Sequence, residues 1–131
     1  MEYKMGLQSK YFNLIKKSEK TVEARLNDAK RQKLKVGDII EFCEEPDRDN
    51  KIDTIVVELD KYNSFSDAID GKGIKCFTNE DESSYLNDLE EYYPKDKQEE
   101  NGVLAITVSK VEKHEKSCGA VVFKNINDKL H

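Results

Sequence analysis

The stretch Lys20-Thr21-Val22-Glu23-Ala24-Arg25-Leu26 (KTVEARL, residues 20–26) governs how this chain is read. Apolar and polar side chains alternate along it. Val22, Ala24 and Leu26 share one face and Thr21, Glu23 and Arg25 the other, the period-two pattern of a half-buried strand with a charged outer face. Glu23 and Arg25 project from the same face two residues apart, close enough to pair. Arg25 offers a rigid fork for phosphate, carboxylate or a base edge. Glu23 either accepts from an exocyclic amine or holds Arg25 in place. Strict alternation points Lys20 with Val22, away from Glu23, so it joins the pair only if the turn at Ser18-Glu19 rotates it. The plain alternative is an exposed surface ion pair beside a flexible lysine, an arrangement worth little.

Upstream, Tyr3 to Leu7 reads as a short strand. Ser9 reads as the N-cap of a helix carrying Tyr11, Phe12, Leu14 and Ile15 at helical spacing. Downstream, Asn27 to Lys33 is polar and basic, with room for one helical turn. Val36-Gly37-Asp38 is a turn that needs positive φ at Gly37, and Ile39 to Phe42 is a strand. Glu44 to Asn50 reads as an acidic hairpin loop, and Ile52 to Leu59 as a β-branched strand. Ser64 and Asp67 form a capping pattern before Phe65, Ala68 and Ile69, and Gly71-Lys72-Gly73 ends that helix. A further helix spans about Glu82 to Tyr93, with Tyr85, Leu86, Leu89, Tyr92 and Tyr93 on one stripe and Pro94 as its stop. Lys95 to Asn101 reads as a charged loop, Gly102 to Val111 as a strand, and Ala120 to Phe123 as a last strand. Strands and short helices mix without βαβ regularity. The class is therefore α+β, a mixed β-barrel flanked by short helices.

The 131 residues make one domain with a sizeable core, and hydrophobic and charged residues each contribute 37%. No apolar run is long enough to cross a bilayer, and the N-terminus has no signal-peptide core. Three widely spaced cysteines (Cys43, Cys76, Cys118) fit reduced thiols, so the expected location is cytoplasmic. The net charge of −5 hides an asymmetry, with Lys and Arg crowding the first third and acids the remainder. No metal or cofactor is expected. Asp47, Asp49 and Glu58 match a calcium loop in part, but Lys51 and Ile52 occupy its ligand and glycine places. His114 and Cys118 lack a second ligand pair for zinc.

The run from Tyr11 to Phe42 resembles the opening of an ASCH domain, a branch of the PUA-like superfamily. Lys20, Glu23 and Arg25 fall on the G-x-K-x-x-E-x-R signature of that family, with Ser18 in place of the glycine, and Gly37-Asp38 falls on its G-D turn. Tyr62-Asn63-Ser64-Phe65 and the stretch from Tyr92-Tyr93 to Gly102-Val103-Leu104 also resemble bacterial members. The resemblance implies an ASCH domain over residues 1–112, a PUA-like barrel, and RNA or a nucleotide as partner. Lys20, Glu23 and Arg25 would line the cleft, with Lys33 and Lys35 on its basic side and Tyr62 or Tyr93 stacking on a base. It also implies an alternative activity, since small bacterial ASCH proteins include amidohydrolases acting on N4-acetylcytidine with a Lys, a Thr and a Glu. Lys20 matches the lysine, Glu23 occupies the threonine's place, Thr21 lies two residues away, and Glu80 or Glu82 is the third candidate. The tail, residues 113–131, resembles the first strand of a Nudix hydrolase without its acidic metal-binding box. That likeness implies a link to a longer ASCH–Nudix chain.

Overall fold

The computed structural model describes residues 2–115 and 121–125. In chain order the elements are β1 (Glu2–Leu7), α1 (Ser9–Lys16), β2 (Val22–Leu26), a 3₁₀ turn (Arg31–Lys33), β3 (Ile39–Glu44) and β4 (Lys51–Tyr62). Then follow α2 (Phe65–Lys72), a 3₁₀ turn (Ile74–Cys76), α3 (Glu82–Tyr92), α4 (Lys95–Asn101), β5 (Val103–Glu115) and β6 (Val121–Asn125). Five strands curl into a half-barrel in the order β1-β3-β4-β5-β2, and β6 extends the far end of β5. The β1–β3 pair is parallel and the other pairs are antiparallel, as the mixed α+β expectation requires. A bulge between Val56 and Glu58 shifts the register of β4 on β5 and leaves Val57 exposed.

Buried side chains lie on both faces of this sheet, as the run from Val103 to Ile106 in β5 shows. Ile40, Phe42, Val56, Val103 and Ile106 from the strands meet Phe12 and Ile15 of α1, Phe65 and Ile69 of α2, Phe77, and Tyr85 of α3. The two outer strands, β1 and β2, share no backbone ladder, so the barrel has a seam between them.

Several local expectations hold. Gly37 has φ +97°, the Ser64 side chain accepts from the Asp67 amide, and the exposed acidic loop joins β3 to β4. Others need correction. Ser9 is the first helical residue rather than the cap, and the residue before it, Gln8, makes no capping bond with its side chain. Residues 95–101 are a helix, not a loop. No apolar periodicity marks α4, because one polar side chain anchors it: buried Gln98 accepts from the Phe65 amide (3.0 Å) and donates to the Tyr93 carbonyl (2.9 Å). The charged face of β2 is not an outer face: Glu23 is buried between Lys20 and Arg25, and Arg25 is half-buried. The last strand begins at Val121, and Ala120 and Cys118 lie outside the described residues.

Candidate functional site

The turn after α1 places Lys20. Ser18 sits in the left-handed region at φ +61°, its amide bonds the Ile15 carbonyl, and the Glu19 amide bonds that of Leu14. This is a Schellman ending, in which the left-handed position favours glycine. It accounts for the glycine at this place in the family signature. Because β2 starts only at Val22, strand alternation does not reach Lys20, and the turn swings its side chain inward.

Lys20 is 2% exposed. Its Nζ donates to the carbonyls of Val22 (2.9 Å) and Phe77 (2.8 Å) and lies 3.2 Å from Glu23 Oε1. The rings of Tyr11, Phe77 and Tyr85 stand 5.3–5.8 Å from it, so an aromatic box shares the charge. Burial pushes its pKa below that of a free lysine, and Glu23 opposes the shift. Glu23 in turn bonds Arg25 Nε through Oε2 at 2.7 Å. Burial raises the Glu23 carboxyl, but the Lys20 and Arg25 cations outweigh it and hold that carboxyl below the usual range. For Arg25, burial lowers the pKa, yet Glu23 and then Tyr93 raise it above the ordinary value.

Arg25 reaches across the seam. Its Nη2 donates to the Gly6 carbonyl of β1 at 2.8 Å, so one side chain joins the two edge strands that the ladder leaves apart. A cleft of about 490 Å³ opens over this bridge, within the range of about 300–1,000 Å³ usual for small-molecule sites. Glu23, Ala24 and Arg25 line it from β2, and Met5, Gly6 and Leu7 from β1. Tyr85, Asp88, Leu89, Tyr92 and Tyr93 line it from α3 and its end. Lys4, Lys30, Arg31 and Arg48 supply further cations. Arg31 is held by Asp28 (3.2 Å) and Arg48 by Glu45 (2.6 Å). The Arg31 Nε atom is buried without a hydrogen-bond partner among the described residues.

A latch ties α3 to α1. Tyr11 Oη lies 2.6 Å from Asp88 and 2.9 Å from Glu80, and Lys10 Nζ donates to Asp88 at 2.6 Å. The bonds from Lys10 and Tyr11 hold the Asp88 carboxyl below its usual pKa, while burial and the same two carboxylates push the Tyr11 phenol up. Gln8 Nε2 and Tyr92 Oη, 3.3 Å apart, add a second link.

Of the residues expected from sequence, Glu23, Arg25 and Tyr93 line the cleft together, and Lys20 lies directly beneath them without lining it. Thr21 faces a small crevice with Ile15, Ser18 and Lys20 instead. Lys33 and Lys35 are exposed and lie outside the lining. Tyr62 packs on α2, where a Cβ on Gly71 would meet its Oη at 2.6 Å, so it serves the core side rather than the cleft. Lys4, Tyr11, Lys30, Arg31, Arg48, Asp88 and Tyr92 join the site without having been expected there. The basic cluster and the α3 stripe carried partial signals for most of them. Arg48, inside an acidic loop, carried none. Among the described residues no group of three or more His, Cys, Asp and Glu could hold a metal ion, and no helix is long and apolar enough to cross a membrane.

An open mixed half-barrel, its seam bridged by a buried Lys–Glu–Arg group and roofed by a helix, defines a PUA-like class of α+β domain with a cleft at the seam. The chain belongs to the ASCH family, whose domain model matches residues 5–112. Hypothetical protein PH0355 is 30% identical in sequence, with a TM-score of 0.74 over 84% of this chain and 99% of its own. Protein PF0455 from Pyrococcus furiosus is 31% identical, with a TM-score of 0.68 over 86% of this chain and 99% of its own. A mutant form of ZmASCH from Zymomonas mobilis shares the fold at a TM-score of 0.61 and 11% identity, over 98% of this chain and 92% of its own. No curated protein matches. The family match stops at residue 112, and the likeness of the tail to a Nudix strand gains no support from it.

Proposed function

We propose that this protein binds single-stranded RNA or a nucleotide in the seam cleft. One observation carries this reading: the Arg25 fork, fixed by Glu23, lies on the floor of a cleft that also presents Tyr92, Tyr93 and four further cations. A tyrosine face stacks on any base, and guanidinium and ammonium groups take phosphate. Arg25 has donors left after bonding Glu23 and Gly6, and these suit the acceptor edge of a base. Glu23 and Lys20 act as positioning residues beneath it.

The test is an amide-resolved NMR titration at low salt with a short single-stranded RNA and with mononucleotides. Expected shifts cluster at Gly6, Arg25, Arg31 and Tyr93. Shifts confined to surfaces away from the seam would overturn the reading. The alternative, an amidohydrolase acting on N4-acetylcytidine-type nucleosides, draws less support. Its lysine, Lys20, is engaged by two carbonyls and a carboxylate, and Glu23 stands where a hydroxyl is needed. Release of cytidine from N4-acetylcytidine, abolished in a folded Lys20→Met variant, would restore it.

A further inference from the structure

Taking the cleft-binding reading as its basis, the charge and size of the site narrow the ligand. The lining holds five cations, Lys4, Arg25, Lys30, Arg31 and Arg48, against three carboxylates, Glu23, Glu45 and Asp88. The whole chain carries −5, so a locally cationic cleft lies in a strongly acidic molecule. Such a field focuses a compact anion into the cleft. It opposes a polyanion that runs out of it. Exposed Asp47 and Asp49 flank Arg48 in the β3–β4 loop, and exposed Glu91 precedes Tyr92 at the end of α3, so acidic side chains neighbour the lining in both segments.

Size agrees with charge. A volume of about 490 Å³ fits one small ligand. A groove that tracks single-stranded nucleic acid engages about 4–16 nucleotides on a domain of comparable size, and needs continuous positive surface to do so. Within the cleft Leu89, Tyr92 and Tyr93 come from the α3 side, and Met5, Leu7 and Ala24 add apolar surface from β1 and β2. Arg25 comes from β2 at the floor, and the four outer cations come from β1, the segment after β2, and the β3–β4 loop. The tyrosines at the end of α3 and the four outer cations thus stand on different elements, the first suited to a base and the second to a phosphate.

We infer that the ligand is a free nucleoside monophosphate, its base against Tyr92 and Tyr93 and its phosphate among Lys4, Lys30, Arg31 and Arg48, rather than a nucleotide within an RNA strand. The phosphate would bring a charge of about −1.5 to −2 at pH 7, which the excess cations of the lining offset.

Calorimetry on the full chain tests this with AMP, CMP, GMP and UMP, the four matching nucleosides and the four homo-decaribonucleotides, at about 50 and about 200 mM salt. The best monophosphate is expected to bind at least tenfold more tightly than its nucleoside, and the decamer of the same base no more tightly than the monophosphate. The monophosphate should weaken only by screening of a few charges. A contacted strand would weaken with a log–log slope of about −0.7 per phosphate. Lys30→Gln with Arg31→Gln should bring the monophosphate down to the nucleoside's affinity, and Lys4→Gln should do so in part. A decamer more than tenfold tighter, with a steep salt slope, would overturn the inference while sparing the cleft-binding reading. Equal affinity for nucleoside and monophosphate would do the same. Absence of binding by every probe would overturn both.

Discussion

Lys20 carries its charge in a place where an unpaired charge is not tolerated, and three kinds of partner make that placement workable: carbonyl oxygens, one carboxylate and aromatic faces. Removing the ammonium leaves Glu23 buried with Arg25 alone. Lys20→Met, which keeps most of the side-chain volume, is expected to cost about 3–5 kcal/mol in urea unfolding, and Glu23→Gln in the same background should recover part of it. The pH profile follows from Glu23. Its carboxyl is held low in the folded protein, so its contribution to stability is present above the unfolded value near 4.5 and is lost as pH falls through the lower folded value. In Lys20→Met the folded value rises, and acid unfolding followed by circular dichroism should move to higher pH than in the wild type. Glu23 and Arg25 were legible as a pair because they share a strand face. The burial of that pair was not, because a charged strand face reads as solvated whatever packs on it.

At the scale of the element, two turns and one short helix carry the arrangement. Ser18 occupies a left-handed position, which costs a non-glycine residue about 1–2 kcal/mol, partly offset by the greater chain entropy glycine loses on folding. Ser18→Gly is therefore expected to raise stability by about 0.5–1 kcal/mol, read as a higher urea midpoint at unchanged slope. A lower midpoint would show that the serine side chain has a stabilising role. In α4, Gln98→Ala would strand the buried Phe65 amide and the Tyr93 carbonyl, at a cost of about 2–3 kcal/mol. Since Tyr93 borders the cleft, nucleotide affinity should fall with it. The α3 latch is weaker because it is partly exposed. Tyr11→Phe should cost about 1 kcal/mol and speed amide exchange in α3 more than in α2. The Ser64–Asp67 cap and the Gly37 turn were readable because each depends on a few consecutive residues. The α4 helix was not, because its anchor bonds a residue far back in the chain.

At the scale of the molecule, the half-barrel is closed by a side chain where a closed barrel would use a ladder. The Arg25–Gly6 bridge crosses the seam between β1 and β2, so Arg25→Ala is expected to loosen β1 selectively, seen as faster amide exchange from Met5 to Leu7 than from Thr54 to Val56. Equal exchange in both strands would show that the ladder to β3 suffices to hold β1. The same bridge forms the floor of the cleft, so stability of the seam and ligand affinity should fall together.

The α+β class, the positions of most strands and helices, the Glu23–Arg25 pair and the family signature were all fixed in the linear chain. Each is written in local periodicity, in turn chemistry or in a short motif. It took the folded arrangement to turn Lys20 inward, to bury the charged face of β2, and to set Tyr62 and Thr21 away from the cleft. Folding also brought Lys4, Arg31, Arg48 and Asp88, which are far apart in the chain, to one opening. The physical reason is the same in each case. Alternation reports which way a side chain leaves its own backbone, whereas burial and electrostatics depend on what other segments bring to that face.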